Sequence, residues 1–327
     1  MAELRSPLAG DIRELVATKR ALGFSYDAEE RALARIDDWL AGQGLSERRL
    51  PRDLVERWCR RRPHESQRNQ CTRVSDMRVL CRHLARRGLD AWVPPTGLVP
   101  KGPRYEPHIF TDDELRRLFA AVDASRPVTG SPWRHLVLPA YFRVLYTSGM
   151  RASELRLARV ADVDLARMAV TVRGGKGRKD RVVAIHPGLA GRCADVLGAA
   201  RERGDGDDGY LFTPHADGRP MTLGNVYRNF RVALERAGIP HGGRGKGPRV
   251  HDLRHTYAVN LLLRWVAEGR DPLEWLPYMS TALGHDGFEE TAYYLRLTES
   301  AHPEVRRLLG RAADVIEEVA FDGREYH

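Results

Sequence analysis

The sequence predicts a mainly α-helical protein with a small antiparallel β-sheet, divided into a helical N-terminal domain and a larger α+β domain. Three observations carry this. Apolar residues recur at three- and four-residue spacing through most of the 327 residues. Two short β-branched runs, MAVTVRG and RVVAIH, break that period, and a turn rich in glycine and lysine joins them. A run with five prolines, VPPTGLVPKGPRYEP at 93–107, separates two stretches that each carry enough apolar residues for a core.

In chain order, IRELVATKRALGF, EERALARIDDWLAG, PRDLVERWCRR and TRVSDMRVLCRHLARRG each show a helical apolar stripe. Gly23, Gly42, Gly44, Pro63 and Gly88 punctuate them, giving four helices over 1–95. The linker is 96–107. In the second domain, 108–327, Thr111 and Glu114 form a capping box at the head of TDDELRRLFAAV. A helix is expected near 133–147 and another from about Ala152. The β-branched runs then make a hairpin across GGKGRKD. Further helices are expected at 188–203, 222–237, 252–267, 272–283, 288–297 and, at the C-terminal end, 303–320.

Composition narrows the function. Hydrophobic residues make up 42%, which excludes global disorder. Lys and Arg number 53 against 44 Asp and Glu, and arginine, whose fork matches phosphate geometry, dominates. The charge is uneven. Residues 1–45 carry 6 basic and 8 acidic side chains, whereas 46–100 carry 13 and 6. A continuous segment at +7 points to nucleic acid more strongly than the overall balance does. No apolar run approaches the length of a membrane span, and no signal-peptide pattern is present. Cys59, Cys71, Cys81 and Cys193 lack CxxC spacing and read as reduced thiols. A cytoplasmic, nucleoid-associated protein with no membrane partner is expected.

The chemistry is concentrated in HDLRHTYAVNLLL at 251–263. On a helix, His251, Arg254 and His255 share one face, about one turn apart. Such a cluster of basic groups calls for an anion in front of it. Four other features stand beside it: TSGMRASEL (147–155), GGKGRKDR (174–181), ALGHDGF (282–288) and ETAYYL (290–295). Singly, each has an ordinary structural reading. Arg151 could be a surface charge at a helix start, Lys176 a solvated turn residue, His285 part of a helix C-terminus and Tyr294 a core-edge aromatic.

Taken in order, the series Arg–Lys–His–x–x–Arg–His–Tyr resembles the tyrosine recombinase (phage integrase) family in its minimal two-domain form. The resemblance covers roughly 105–320 through TSGMR, GGKGRKDR, HDLRH, LGH and a tyrosine nine residues beyond that last histidine. More weakly, residues 1–95 resemble the family's core-DNA-binding domain. The resemblance implies that Arg151, Lys176, His251, Arg254, His285 and Tyr294 form the catalytic set, with Glu154 supporting the site and His255 structural. It implies a site-specific recombinase that joins Tyr294 to a 3′ phosphate of DNA, needs no cofactor or metal, and self-associates to a dimer or tetramer on its double-stranded recombination sites. Helix 303–320 would dock on a neighbouring protomer. The segment 264–280 is longer than the compact family pattern.

Physical chemistry agrees with that set. Two arginine forks can donate charge-assisted hydrogen bonds to the oxygens of a five-coordinate phosphorus. A mobile-element integrase or transposase is the expected role. The rivals are a catalytically silent DNA-binding protein of the same fold and a type IB topoisomerase-like activity. A metal hydrolase is disfavoured because Asp252 stands where HExxH requires Glu. A nucleotide-binding ATPase is disfavoured because no Ser or Thr follows the GK of the turn. Within 46–100, the helix 65–88 with Arg68, Arg73, Arg78 and Arg82 is expected to enter the major groove, the two domains gripping duplex DNA from opposite sides. Helix 288–297 is expected to bury Phe288, Ala292 and Leu295. That leaves Tyr293 and Tyr294 flanking the opposite face symmetrically, so periodicity alone does not choose between them.

Overall fold

The protein is described by a computed structural model. It describes residues 3–100, 102, 105–175, 180–243, 246–285 and 288–301, apart from the side chains of 272, 288, 289, 296 and 298–301. The expected positions Lys176 and 303–320 lie outside these. The chain divides into two compact units, Met1–Tyr105 and Glu106–His327.

The first unit holds helices α1 (Ala9–Ala21), α2 (Asp27–Gly42), α3 (Arg52–Cys59) and α4 (Gln67–Arg86). Their apolar stripes meet in one core that includes Ile12, Leu33, Ile36, Leu40, Val55, Met77 and Leu80. Ser66 caps α4 by accepting the Asn69 amide. The chain beyond α4 returns along Leu50, where Leu50 donates to Asp90 and Trp92 donates to Leu50, each at 2.9 Å.

The second unit comprises α5 (Asp112–Asp123), α6 (Arg134–Ser148), α7 (Ala152–Leu155), a sheet, α8 (Ala190–Glu202), α9 (Leu223–Arg236), α10 (Asp252–Ala267), α11 (Pro272–Leu283) and α12 (Phe288–Ala301). The capping box of Thr111 and Glu114 opens α5. Strands β2 (Ala169–Val172) and β3 (Arg181–Ala184) form the expected hairpin. A two-residue strand, β1 (Val163–Asp164), adds an edge that is too short to leave a sequence period. Helix α6 is buried nearly all round and is the axis against which α5, α8 and α10 pack. The helix expected from Ala152 is a single turn.

A separate apolar cluster joins α10, α11 and α12 through Ala258, Leu262, Trp265, Leu276, Leu283, Tyr294 and Leu295. The 264–280 segment extends it with a row of tilted aromatic rings. Trp265 lies 5.7 Å from Trp275, which lies 5.3 Å from Tyr278, and the Arg270 guanidinium covers Trp275 at 4.6 Å.

Candidate active site

Two glycines place two arginines. Helix α6 ends where Gly149 adopts a left-handed φ of 65°, which a residue with a Cβ rarely takes. The turn aims the Gly149 carbonyl at α10, where the fully buried Arg254 donates to it through Nη1 at 2.8 Å. Directly after Met150, Arg151 is the N-cap of α7. The Tyr141 hydroxyl secures that turn by donating to the Ala152 carbonyl at 2.8 Å. Helix α11 ends at Gly284, also left-handed. There His285 N–H bonds the Ser280 carbonyl and Gly284 N–H bonds that of Thr281, the pairing of a Schellman motif. The Gly284 carbonyl accepts Nη2 of Arg151 at 3.0 Å, tying together residues 133 positions apart.

Glu154 organises the arginine side. Its carboxylate accepts the Arg151 backbone N–H and Nη1, each at 2.9 Å, and a bidentate fork from Arg181 at 3.1 and 2.7 Å. Burial alone would raise this carboxyl. The Arg181 fork, followed by the Arg151 N–H, instead brings it below the ordinary carboxylate range.

Across the site, His255 and His285 flank Tyr294, and His251 packs on the far side of His255. The His255 ring touches both His251, at 4.8 Å between centroids, and Tyr294, at 5.5 Å. The His285 ring stacks on Tyr294 at 6.0 Å and 11°, and its Nδ1 pairs with the Thr291 hydroxyl at 2.7 Å. Burial, reinforced by Arg254 and Arg151, pushes His251 down to about 4; its exposed edge tempers the fall but not its direction. Burial, with the His251 and Arg254 charges, pushes His255 down to about 3. Both rings are therefore neutral at pH 7 and can accept a proton.

The two tyrosines part company here. Tyr294 is 2% exposed and its hydroxyl engages Arg254, whereas Tyr293 is half-buried against His255. Burial raises the Tyr294 phenol, and the neighbouring Arg254 and Arg151 partly offset that rise. Ala292 and Leu295 are buried as the helix period requires. Arg151, Glu154, His251, Arg254, His255, His285 and Tyr294 are thus linked by contacts into one site. Lys176 lies outside the described residues; on either side of it, Gly174 N–H donates to Asp180 at 2.8 Å. Sequence reasoning missed Arg181, Gly149 and Gly284. All three stand inside motifs already singled out, so a closer look at every residue of those motifs was the available signal.

The four arginines expected on DNA separate on α4. Arg68 and Arg82 are exposed and, fourteen residues apart, return to nearly the same face. Arg73 turns inward. It pairs with Glu65 at 2.8 Å and donates to the Arg60 carbonyl, with only 10% of its side chain exposed. Arg78 donates to the carbonyls of Pro94 and Pro95 at 2.8 and 3.0 Å, holding the chain that leaves the unit. Arg73 is therefore a structural group, because its guanidinium is already engaged. Among the described residues no group of His, Cys, Asp and Glu is arranged to hold a metal ion, and no helix is long and apolar enough to cross a membrane.

Comparisons with known proteins bear on this site. The model of the phage integrase family matches residues 108–300. The integrase/recombinase-like protein y4rB of Sinorhizobium fredii is 30% identical over 307 residues, which is 92% of this chain and 96% of that protein. Tyrosine recombinase XerA of Thermococcus kodakarensis is 35% identical over 199 residues, 61% of each chain. In fold, the chain is similar to the Tn1549 transposon integrase in complex with circular intermediate DNA. That match has a TM-score of 0.62 and 15% identity and covers 86% of this chain and 94% of that one.

Proposed function

The chain belongs to the phage integrase family, and from that premise we propose that it cuts and rejoins duplex DNA at specific sites through a covalent bond between Tyr294 and a 3′ phosphate. The observation that carries this reading is the convergence of Tyr294 and two arginines from distant motifs at one site, where Arg254 is buried and touches the phenol.

The reaction is a phosphoryl exchange. The Tyr294 oxygen attacks phosphorus and the bond to the 5′ oxygen breaks, leaving a phosphotyrosyl ester and a free 5′ hydroxyl. Arg151 and Arg254 supply positive charge to the non-bridging oxygens as the fifth bond forms. A phenol of ordinary pKa near 10 needs its proton removed. Neutral His251 is its acceptor, with His255 packed between as a support. His285 donates to the phosphate, and Lys176 returns a proton to the departing 5′ oxygen. The ester conserves the bond energy, so a 5′ hydroxyl from the same or another strand reverses the step and releases Tyr294. Exchange between duplexes calls for protomers paired on DNA as dimers and tetramers, with 303–320 as the segment that reaches a neighbour. In this reading 1–95 is a core-DNA-binding domain, 96–107 the linker and 108–327 the catalytic domain, and Arg68 and Arg82 are the DNA contacts in 1–95. The two rivals stay as outcomes of the test: a DNA-binding protein without catalysis, or a relaxing enzyme that needs no synapsis.

The test is covalent trapping. Full-length protein is incubated with fragmented genomic DNA in excess chelator, denatured with detergent, and the attached DNA sequenced. Recovery of a recurrent site on Tyr294 supports the reading. DNA retention without any adduct points to the silent binder. Relaxation of supercoiled plasmid with no exchange between duplexes points to the topoisomerase-like activity.

A further inference from the structure

Glu154 is a buried anion set beside a group whose task is to attract an anion. Its carboxylate lies 2.9 Å from Nη1 of Arg151, with 8% of the Glu154 side chain exposed. One carboxylate paired with one guanidinium cancels most of its charge at close range, and in a pocket shielded from water that loss is felt strongly. Arg181 changes the balance. It is the last residue of GGKGRKDR and the first of β3, and its side chain is 10% exposed. Both of its terminal nitrogens engage Glu154, and its Nε donates to the Ala282 carbonyl at 3.2 Å. Its guanidinium fills the space beside Gly284, where a Cβ would come within 2.8 Å of Cζ. Arg151 reaches the same turn through the Gly284 carbonyl. The two guanidiniums and the carboxylate are therefore one built unit with a net charge of one, and they lock the hairpin strand to the segment that leads into α12.

We propose that Arg181 is a positioning residue for phosphodiester cleavage: its bidentate grip offsets the Glu154 charge, so that the Arg151 charge is not cancelled and stays available to the scissile phosphate. This rests on the recombinase reading above, and it assigns to the hairpin a second contribution besides its lysine tip. If Arg181 is removed, Glu154 turns wholly to Arg151, and the pair presents almost no charge. If Arg181 and Glu154 are removed together, the charge of Arg151 is freed again.

The experiment compares adduct formation by full-length wild type, Arg181→Met, Arg181→Lys and the double variant Glu154→Gln/Arg181→Met. Each is given two forms of the duplex site recovered by covalent trapping, one with the natural scissile phosphate and one with a methylphosphonate there. The methylphosphonate is uncharged before attack, so it leaves one negative charge fewer to neutralise. On phosphate, Arg181→Met is expected to slow adduct formation on the order of a hundredfold. The double variant and Arg181→Lys should stay within about tenfold of wild type. On methylphosphonate, the Arg181→Met deficit should shrink to about tenfold or less. An equal deficit on both substrates would reveal a merely structural residue and overturn the proposal, as would wild-type cleavage of phosphate by Arg181→Met. Should Arg181→Met fail to fold in a thermal melt, Arg181→Lys decides: a hundredfold loss on both substrates overturns the proposal, and near wild-type rates support it. A wild type that forms no adduct on either substrate refutes the recombinase reading itself, which separates that failure from this one.

Discussion

Replacing Gly149 by alanine tests how α6 delivers its carbonyl to Arg254. Two costs are expected. Gly149 has φ of 65°, and a residue with a Cβ in that region pays roughly 1–2 kcal/mol. The new methyl would also stand 2.7 Å from Leu283 Cδ2 and 2.7 Å from Tyr257 Cδ1, closer than real Cβ contacts come. Relieving such overpacking costs about 1–3 kcal/mol. The total is about 2–5 kcal/mol, a large part of the roughly 5–15 kcal/mol that holds a domain together. Gly204→Ala is the matched control. Gly204 has φ of 79° just past α8, but its Cβ would meet nothing within 4 Å, so it isolates the backbone cost. Urea titrations followed by tryptophan fluorescence should place Gly149→Ala about 1–3 kcal/mol below Gly204→Ala. Because the shifted carbonyl is the acceptor for Arg254, adduct formation should fall in Gly149→Ala and stay unchanged in Gly204→Ala. Equal destabilisation by the two variants would refute the contact argument. Undiminished adduct formation by Gly149→Ala would refute the role given to the carbonyl.

Three further outcomes are expected. Tyr294→Phe should abolish the covalent adduct with DNA affinity nearly intact, since one hydroxyl adds little to a contact dominated by phosphates, whereas Tyr293→Phe should still form it; mass spectrometry of the nuclease-trimmed adduct identifies the residue. DNA affinity should drop by roughly 10³-fold or more between about 50 and 200 mM salt, and a flat titration would remove the phosphate-dominated mode of binding. The depressed histidines set a pH dependence. His251 and His255 bind protons at pH 6.5 when unfolded but at about 4 and about 3 when folded, so the unfolded state holds more protons between these values. Stability should therefore be unaffected above about pH 7 and decline as pH falls from about 6.5 toward 4. In thermal melts across that range, His255→Gln should flatten the slope; an unchanged slope would mean that His255 is not held neutral.

Local patterns determined the elements. A helix buries one stripe whatever it packs against, so α2, α10 and α11 could be drawn from apolar spacing, and the β-branched runs around GGKGRKD marked β2 and β3. Motif order was enough to name Arg151, His251, Arg254, His285 and Tyr294 as candidates. Tertiary structure alone decided what those side chains do to one another. Periodicity left Tyr293 and Tyr294 equivalent; the arrival of α10 with Arg254 beside Tyr294 separates them. An arginine in a sequence carries the same charge whether it faces solvent or an acid, so only the fold showed Arg73 closed on Glu65 while Arg68 and Arg82 stay exposed. The carbonyls of Gly149 and Gly284, and the grip of Arg181 on Glu154, join residues from 27 to 133 positions apart. Such bonds leave no period along the chain, because their partners become neighbours only when separate helices and the hairpin pack together.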